Sequence, residues 1–141
     1  MIIKFTFDFN LLAILACGVA SLIIGFIWYG PLFGKAWSGY TGWTAEKAKA
    51  IPGSRMAATY GLAFLGAIIS AVALSILCQA MALSGAVNGL ALGLLAGIGF
   101  AAMAFATTFL FEHRPLKLWL IVSGYQVVYL AAAGIIIAVW R

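Results

Sequence analysis

The densest cluster of ionisable side chains is Glu112-His113-Arg114, closed by Pro115 and followed by Lys117. His113 is the only histidine, and an imidazole gains and loses its proton near neutral pH, so it could sense or shuttle protons. Arg114 offers a planar fork of donors suited to phosphate or carboxylate. Glu112 could pair with Arg114, with Lys117 or with a basic residue of another segment. Two readings stand: a rim that holds a lipid headgroup or small anion, or a solvated turn pinned by Pro115. A second distinctive segment runs Trp28-Tyr29-Gly30-Pro31-Leu32-Phe33-Gly34-Lys35-Ala36-Trp37. Its Tyr29, Lys35 and Trp37 are candidates for the same rim.

Other polar side chains lie inside long apolar runs: Ser70, Ser75, Gln79, Thr107, Thr108, Ser123 and Gln126. Polar groups at membrane depth are costly, which makes them natural functional candidates. Gln126 stands about nine residues past Lys117, ~14 Å deeper along a helix, with Tyr125 beside it and Tyr129 three residues on. A solute or water pathway at Tyr125 and Gln126 is one reading. The other is hydrogen bonding between helices, with Ser and Thr bonding back to their own helix.

Enzyme chemistry finds no template. A metal centre wants several His, Cys or carboxylate ligands in concert, and a single histidine does not supply them. The spans hold no paired carboxylates, and neither a phosphate-binding glycine loop nor a serine elbow is present. No catalytic residue, metal or cofactor is expected. Cys17 and Cys78 sit inside apolar runs without ligand spacing and read as small hydrophobes. The run continues past Cys17 to Trp28, so this segment reads as a retained span and not a cleaved signal.

The elements that position these residues follow from composition. Of 141 residues, 66% are apolar and 8% charged, against roughly 25% charged in soluble domains. A chain this short cannot bury that much apolar surface on itself, so lipid must cover the rest. The expected fold is an all-α integral membrane protein, one domain over 1–141, with four transmembrane helices packed as a bundle. A span needs ~20 apolar residues, which places them at about 10–28, 57–81, 88–111 and 118–140. Thr44 caps a short helix in the first connection, Pro52-Gly53 ends it, and Ser54 is a candidate cap for span two. Ser84-Gly85 and Asn88-Gly89 supply turn chemistry between spans two and three.

Six basic residues fall in the connections 29–55 and 112–117, against Lys4 and Arg141 on the other side. The positive-inside rule then makes both connections cytoplasmic and both termini external, in the cell (inner) membrane. The net charge of +5 is scattered at span ends, without the aromatic-interleaved basic stripe of a nucleic-acid binder. Lipid is the expected partner and nucleic acid is not.

Gly89, Gly93 and Gly97 recur every four residues on one helix face, where small residues let another backbone approach. Ala13-Cys17-Ser21-Gly25 and Ala67-Ala71-Ser75 form similar ladders. They serve either packing within one chain or a homo-oligomer interface. The segments Pro31 to Trp37 and Pro115 to Trp119 share Pro-Leu with a nearby Lys and Trp, which a duplicated hairpin or common interfacial composition would each produce.

Two segments carry a resemblance: Trp28 to Trp37, and Leu110-Phe111-Glu112-His113-Arg114-Pro115-Leu116-Lys117-Leu118-Trp119 followed by Ser123-Gly124-Tyr125. Together they resemble a bacterial membrane family catalogued as domain of unknown function 1761, over nearly the whole chain. The resemblance implies a small four-helix membrane protein and supplies no catalytic residues. That family often has Asn before Gly-Tyr where this chain has Ser123. The function expected is a homo-oligomeric membrane protein that binds or passes a small solute or ion. The alternative is an accessory protein that binds lipid or a larger membrane complex without transport.

Overall fold

Asn10 opens the first helix. Its backbone is extended and its Oδ1 accepts from the N–H groups of Leu12 and Ala13 at 3.1 and 3.2 Å, satisfying donors that a helix start otherwise leaves orphaned. The computed structural model of the protein describes residues 2–140. From this cap α1 runs Leu11–Ile27 and continues as a π-helical turn, Trp28–Leu32. Pro31 lies inside that turn and has no N–H for a regular α-helical bond. The Phe33 N–H instead reaches back five residues to Trp28 O at 2.9 Å.

Two short helices fill the first connection. Helix α2 (Gly34–Thr41) closes on Gly42 at φ +70° and was not marked by any apolar periodicity. Helix α3 (Ala45–Ala50) is capped by Thr44, whose hydroxyl accepts the Lys47 N–H at 3.1 Å. Helix α4 (Gly53–Ala80) starts directly after Pro52, so Ser54 lies in its first turn and is not its cap. Span three comprises α5 (Ala86–Ala96), a π-helical stretch Gly97–Ala102, and α6 (Met103–Phe111). Asn88-Gly89 therefore belongs to the helix. The turn before it rests on Gly85 at φ +86°, whose N–H donates to Ala138 O at 3.1 Å. Helix α7 (Leu116–Val139) completes the bundle.

Four helical segments, Leu11–Leu32, Gly53–Ala80, Ala86–Phe111 and Leu116–Val139, are long and apolar enough to cross a bilayer. The protein is thus an all-α, multi-pass membrane protein. Bulky residues such as Leu11, Ile23, Phe26, Phe100 and Leu110 point outward, as expected where lipid is the solvent. The start of α1 and the end of α7 lie at one end of the bundle, where Asn10 Nδ2 donates to Trp140 O at 3.2 Å. We call this the terminal end, and the opposite one the loop end.

Small residues decide how closely the helices meet. Cys17 of α1, Ala71 of α4 and Ala133 of α7 are completely buried in one cluster, and Cys17 Sγ lies 3.8 Å from Ala133 O. Along α5, Gly89 abuts Gly134 O and Gly93 abuts Leu130 O, while a Cβ on Gly97 would stand 2.8 Å from Val127 Cα. The glycine ladder is therefore filled by α7 of the same chain. With this support α7 touches all three other spans and is the most deeply buried of them.

Candidate binding site

The π-helical turn that ends span one aims two aromatic rings at α7. Trp28 Nε1 donates to Ile121 O at 2.8 Å, and its ring lies over Gly124, where a Cβ would stand 2.8 Å from the indole. Phe33 backs the indole at 4.7 Å between centroids. Tyr29, one residue on, meets Tyr125 at 5.5 Å and Trp37 edge-on at 5.7 Å. Trp37 in turn meets Trp43 at 6.1 Å. These contacts make an aromatic column from the first connection into the bundle. Gly34 is required beneath it, since a Cβ there would stand 2.6 Å from Tyr29 O.

Tyr125 anchors the inner end of the column. Its hydroxyl donates to Ser21 O at 3.1 Å, and its ring covers Gly25. Tyr129, one turn further, is 2% exposed and donates to Ala67 O at 2.5 Å. Between these tyrosines and α4 lies a cleft of about 340 Å³, bounded by Ala63, Gly66, Ala67 and Ser70 on one side and Gln126 on the other. Ser70 bonds back to Gly66 O at 3.1 Å. Gln126 is half-buried and makes no side-chain hydrogen bond among the described residues. The cleft thus presents one carboxamide, with two donors and an acceptor, in a wall of aromatic and small apolar groups.

The ionisable cluster is arranged differently. His113 adopts φ +54°, its N–H donates to Leu110 O at 3.3 Å, and the Arg114 N–H donates to Phe109 O at 3.0 Å. This pair of bonds is a Schellman cap, with His113 in the left-handed place that glycine usually takes. Arg114 lies 4.0 Å from the Phe109 ring centroid and pairs with Glu112 at 3.4 Å, both side chains being exposed. Among the described residues, no hydrogen bond, ion pair or ring contact joins Glu112, His113, Arg114 or Lys117 to Tyr29, Lys35 or Trp37. The two distinctive segments meet instead through Trp28 and Tyr29 on one side and Ile121, Gly124 and Tyr125 on the other. Pro31 sits within the last turn of span one, whereas Pro115 caps the start of α7, so the two Pro-Leu pairs hold unlike positions.

The model of a family described as protein of unknown function (DUF1761) matches residues 12–138. The chain belongs to that family. No curated protein and no solved structure matches it. The DUF1761 match includes every residue of the aromatic column and of the cleft. Trp28, Gly124 and Ser21 were absent from the candidates drawn from side-chain chemistry. The pairing of a Trp-Tyr dipeptide at one span end with Gly-Tyr on another span marks Trp28 and Gly124, and the small-residue ladder of span one marks Ser21.

Proposed function

We propose that the protein binds a small, largely apolar solute that carries a hydrogen-bonding group, taken from the bilayer into the cleft between α4 and α7. The carrying observation is Gln126: its amide has no hydrogen-bond partner among the described residues, although an unsatisfied polar group at membrane depth is costly. A ligand carbonyl, amide or hydroxyl would satisfy it, and the rings of Tyr125 and Tyr129 would pack the ligand's body. Binding is favoured over passage, because Ala71, Leu74, Tyr129 and Ala133 fill the centre of the bundle and are each 2% exposed or less. The reading needs no second copy, since α7 occupies the glycine ladder that an oligomer would otherwise use.

The test is a titration of the protein in nanodiscs with small neutral amides, alcohols and quinones, followed by intrinsic Tyr/Trp fluorescence. At least one compound should give a saturable change in the wild type that Gln126→Leu abolishes. A wild type that saturates with none of them, or a Gln126→Leu variant that responds equally, refutes the assignment.

A further inference from the structure

Residues 6–10, ahead of α1, do not trail away from the bundle. They run extended across the terminal end and are fastened to α4: Thr6 Oγ1 donates to Gln79 Oε1 at 2.5 Å, and Gln79 Nε2 donates to Asp8 O at 2.6 Å and to Ser75 Oγ at 3.1 Å. Beneath this strap is a cavity of about 370 Å³. Asp8, Asn10, Ser75 and Gln79 give it a polar side, and Ile14 and Ile137 an apolar floor. It is separate from the cleft at Gln126, and no residue lines both.

Its amide groups are engaged within the chain. Both Gln79 amide bonds end on atoms of the chain, and Asn10 donates to Trp140 O. The start of α1 is likewise closed, since Leu12, Ala13 and Ile14 give their N–H groups to Asn10. The Asp8 carboxylate forms no ion pair among the described residues, not even with Lys4. The two other helices that line the cavity, α4 and α7, both end there, and helix C-termini carry partial negative charge. A cavity with its amide groups engaged, a carboxylate without an ion pair at its edge and two helix C-termini beside it suits a cationic donor.

We propose that this cavity binds a primary ammonium group on a short stem, with the ammonium near Asp8 and the stem over Ile14 and Ile137. Such a group could come from a lipid headgroup or from a soluble amine. At the end of a transmembrane bundle, the headgroup layer delivers the first directly.

The full-length protein is delipidated in detergent and offered phosphatidylethanolamine, phosphatidylcholine or free ethanolamine, with retained ligand counted by native mass spectrometry. Asp8→Asn removes the charge from an exposed strap residue, and Ile137→Phe fills the cavity from a helix. The wild type should retain one phosphatidylethanolamine about five-fold better than phosphatidylcholine, the scale of a partly exposed ion pair, and both variants should lose that preference. Saturable binding of ethanolamine alone, lost in Asp8→Asn, would identify a soluble amine as the source. Equal retention of both lipids together with no ethanolamine binding overturns the proposal, as does an unchanged preference in Asp8→Asn. Gln126→Leu should leave every one of these readouts unaltered, which separates this cavity from the cleft.

Discussion

The indole of Trp28 lies flat enough on Gly124 that a single added carbon would stand 2.8 Å from the ring, while the same indole holds Ile121 O at 2.8 Å. Spans one and four are thereby locked at the loop end by one ring, one missing side chain and one hydrogen bond. Gly124→Ala must displace the ring, and overpacking of this kind costs about 1–3 kcal/mol. Trp28→Phe keeps most of the apolar contact and removes the donor, for a loss of about 1 kcal/mol. Thermal unfolding in mild detergent should show both variants destabilised. If Gly124→Ala melts with the wild type, the contact is not a packing constraint.

Glycines of one type should split into two classes by position. At Gly93 an added Cβ would run into Leu130 O and come within 2.7 Å of Ala131 Cα, whereas at Gly61 it would meet nothing within 4 Å. Gly93→Ala forces two backbones apart and should destabilise by about 2 kcal/mol or more. Gly61→Ala only restricts the unfolded chain and improves helix propensity, a gain of about 0.5–1 kcal/mol. Unfolding of the two variants side by side checks the sign at each. Equal effects would mean that α5 and α7 do not approach as closely as Gly93 and Leu130 indicate.

The membrane class and the four spans are legible because they depend on composition and run length, which lipid converts directly into helices. Thr44 is legible as a cap because a short polar side chain before a helix has few other uses, whereas Asn10, read as the first residue of span one, is its cap. Contacts between spans are less so. Gly89, Gly93 and Gly97 announce a close approach but not the helix that makes it, and nothing in their spacing names Gly134 or Leu130. The extra residues of span one, to Leu32, depend on a π-helical turn, which leaves no mark in apolar periodicity. Gln126 was conspicuous because an amide in an apolar run always is. Trp28 was hidden in plain sight, since a tryptophan at a span end ordinarily sits at the headgroups and here turns inward. The strap is not legible because one of its bonds to α4 ends on a backbone atom, Asp8 O, of a kind that every residue carries.

His113 and Ala82 are the non-glycine residues with positive φ among those described, at +54° and +51°. Each follows the end of a helix, and each is framed by the same two bonds: Ala82 donates to Gln79 O and Leu83 to Cys78 O, as His113 and Arg114 do after α6. An L-residue held there costs about 1–2 kcal/mol, so Ala82→Gly should raise stability by about 1 kcal/mol. His113→Gly should do the same in smaller measure and should leave any ligand-dependent fluorescence change at Gln126 intact. His113→Val should lower stability, because a β-branched residue is badly suited to that conformation. Should His113→Gly abolish ligand response while remaining folded, the imidazole has a chemical task beyond ending a helix.

Ser123 lies 3% exposed, and its hydroxyl has no hydrogen-bond partner among the described residues. It stands one turn beyond Trp119, whose indole donates to Ala102 O at 2.9 Å at the end of the π-helical stretch. A buried hydroxyl without a partner forfeits its hydration for nothing, at about 1–3 kcal/mol. Ser123→Ala keeps the volume nearly constant and removes the orphaned group. The expected outcome is a protein at least as stable as the wild type, by up to about 1 kcal/mol, read as a higher unfolding midpoint in detergent. Ser123→Val tests the space rather than the polarity: a methyl in place of the hydroxyl and a second methyl beside it, in a closed site, should destabilise by about 1–3 kcal/mol. A Ser123→Ala variant that is less stable than the wild type would show that the hydroxyl is partnered in the membrane, and Ser123 would then belong with Gln126 among the groups that a bound molecule satisfies.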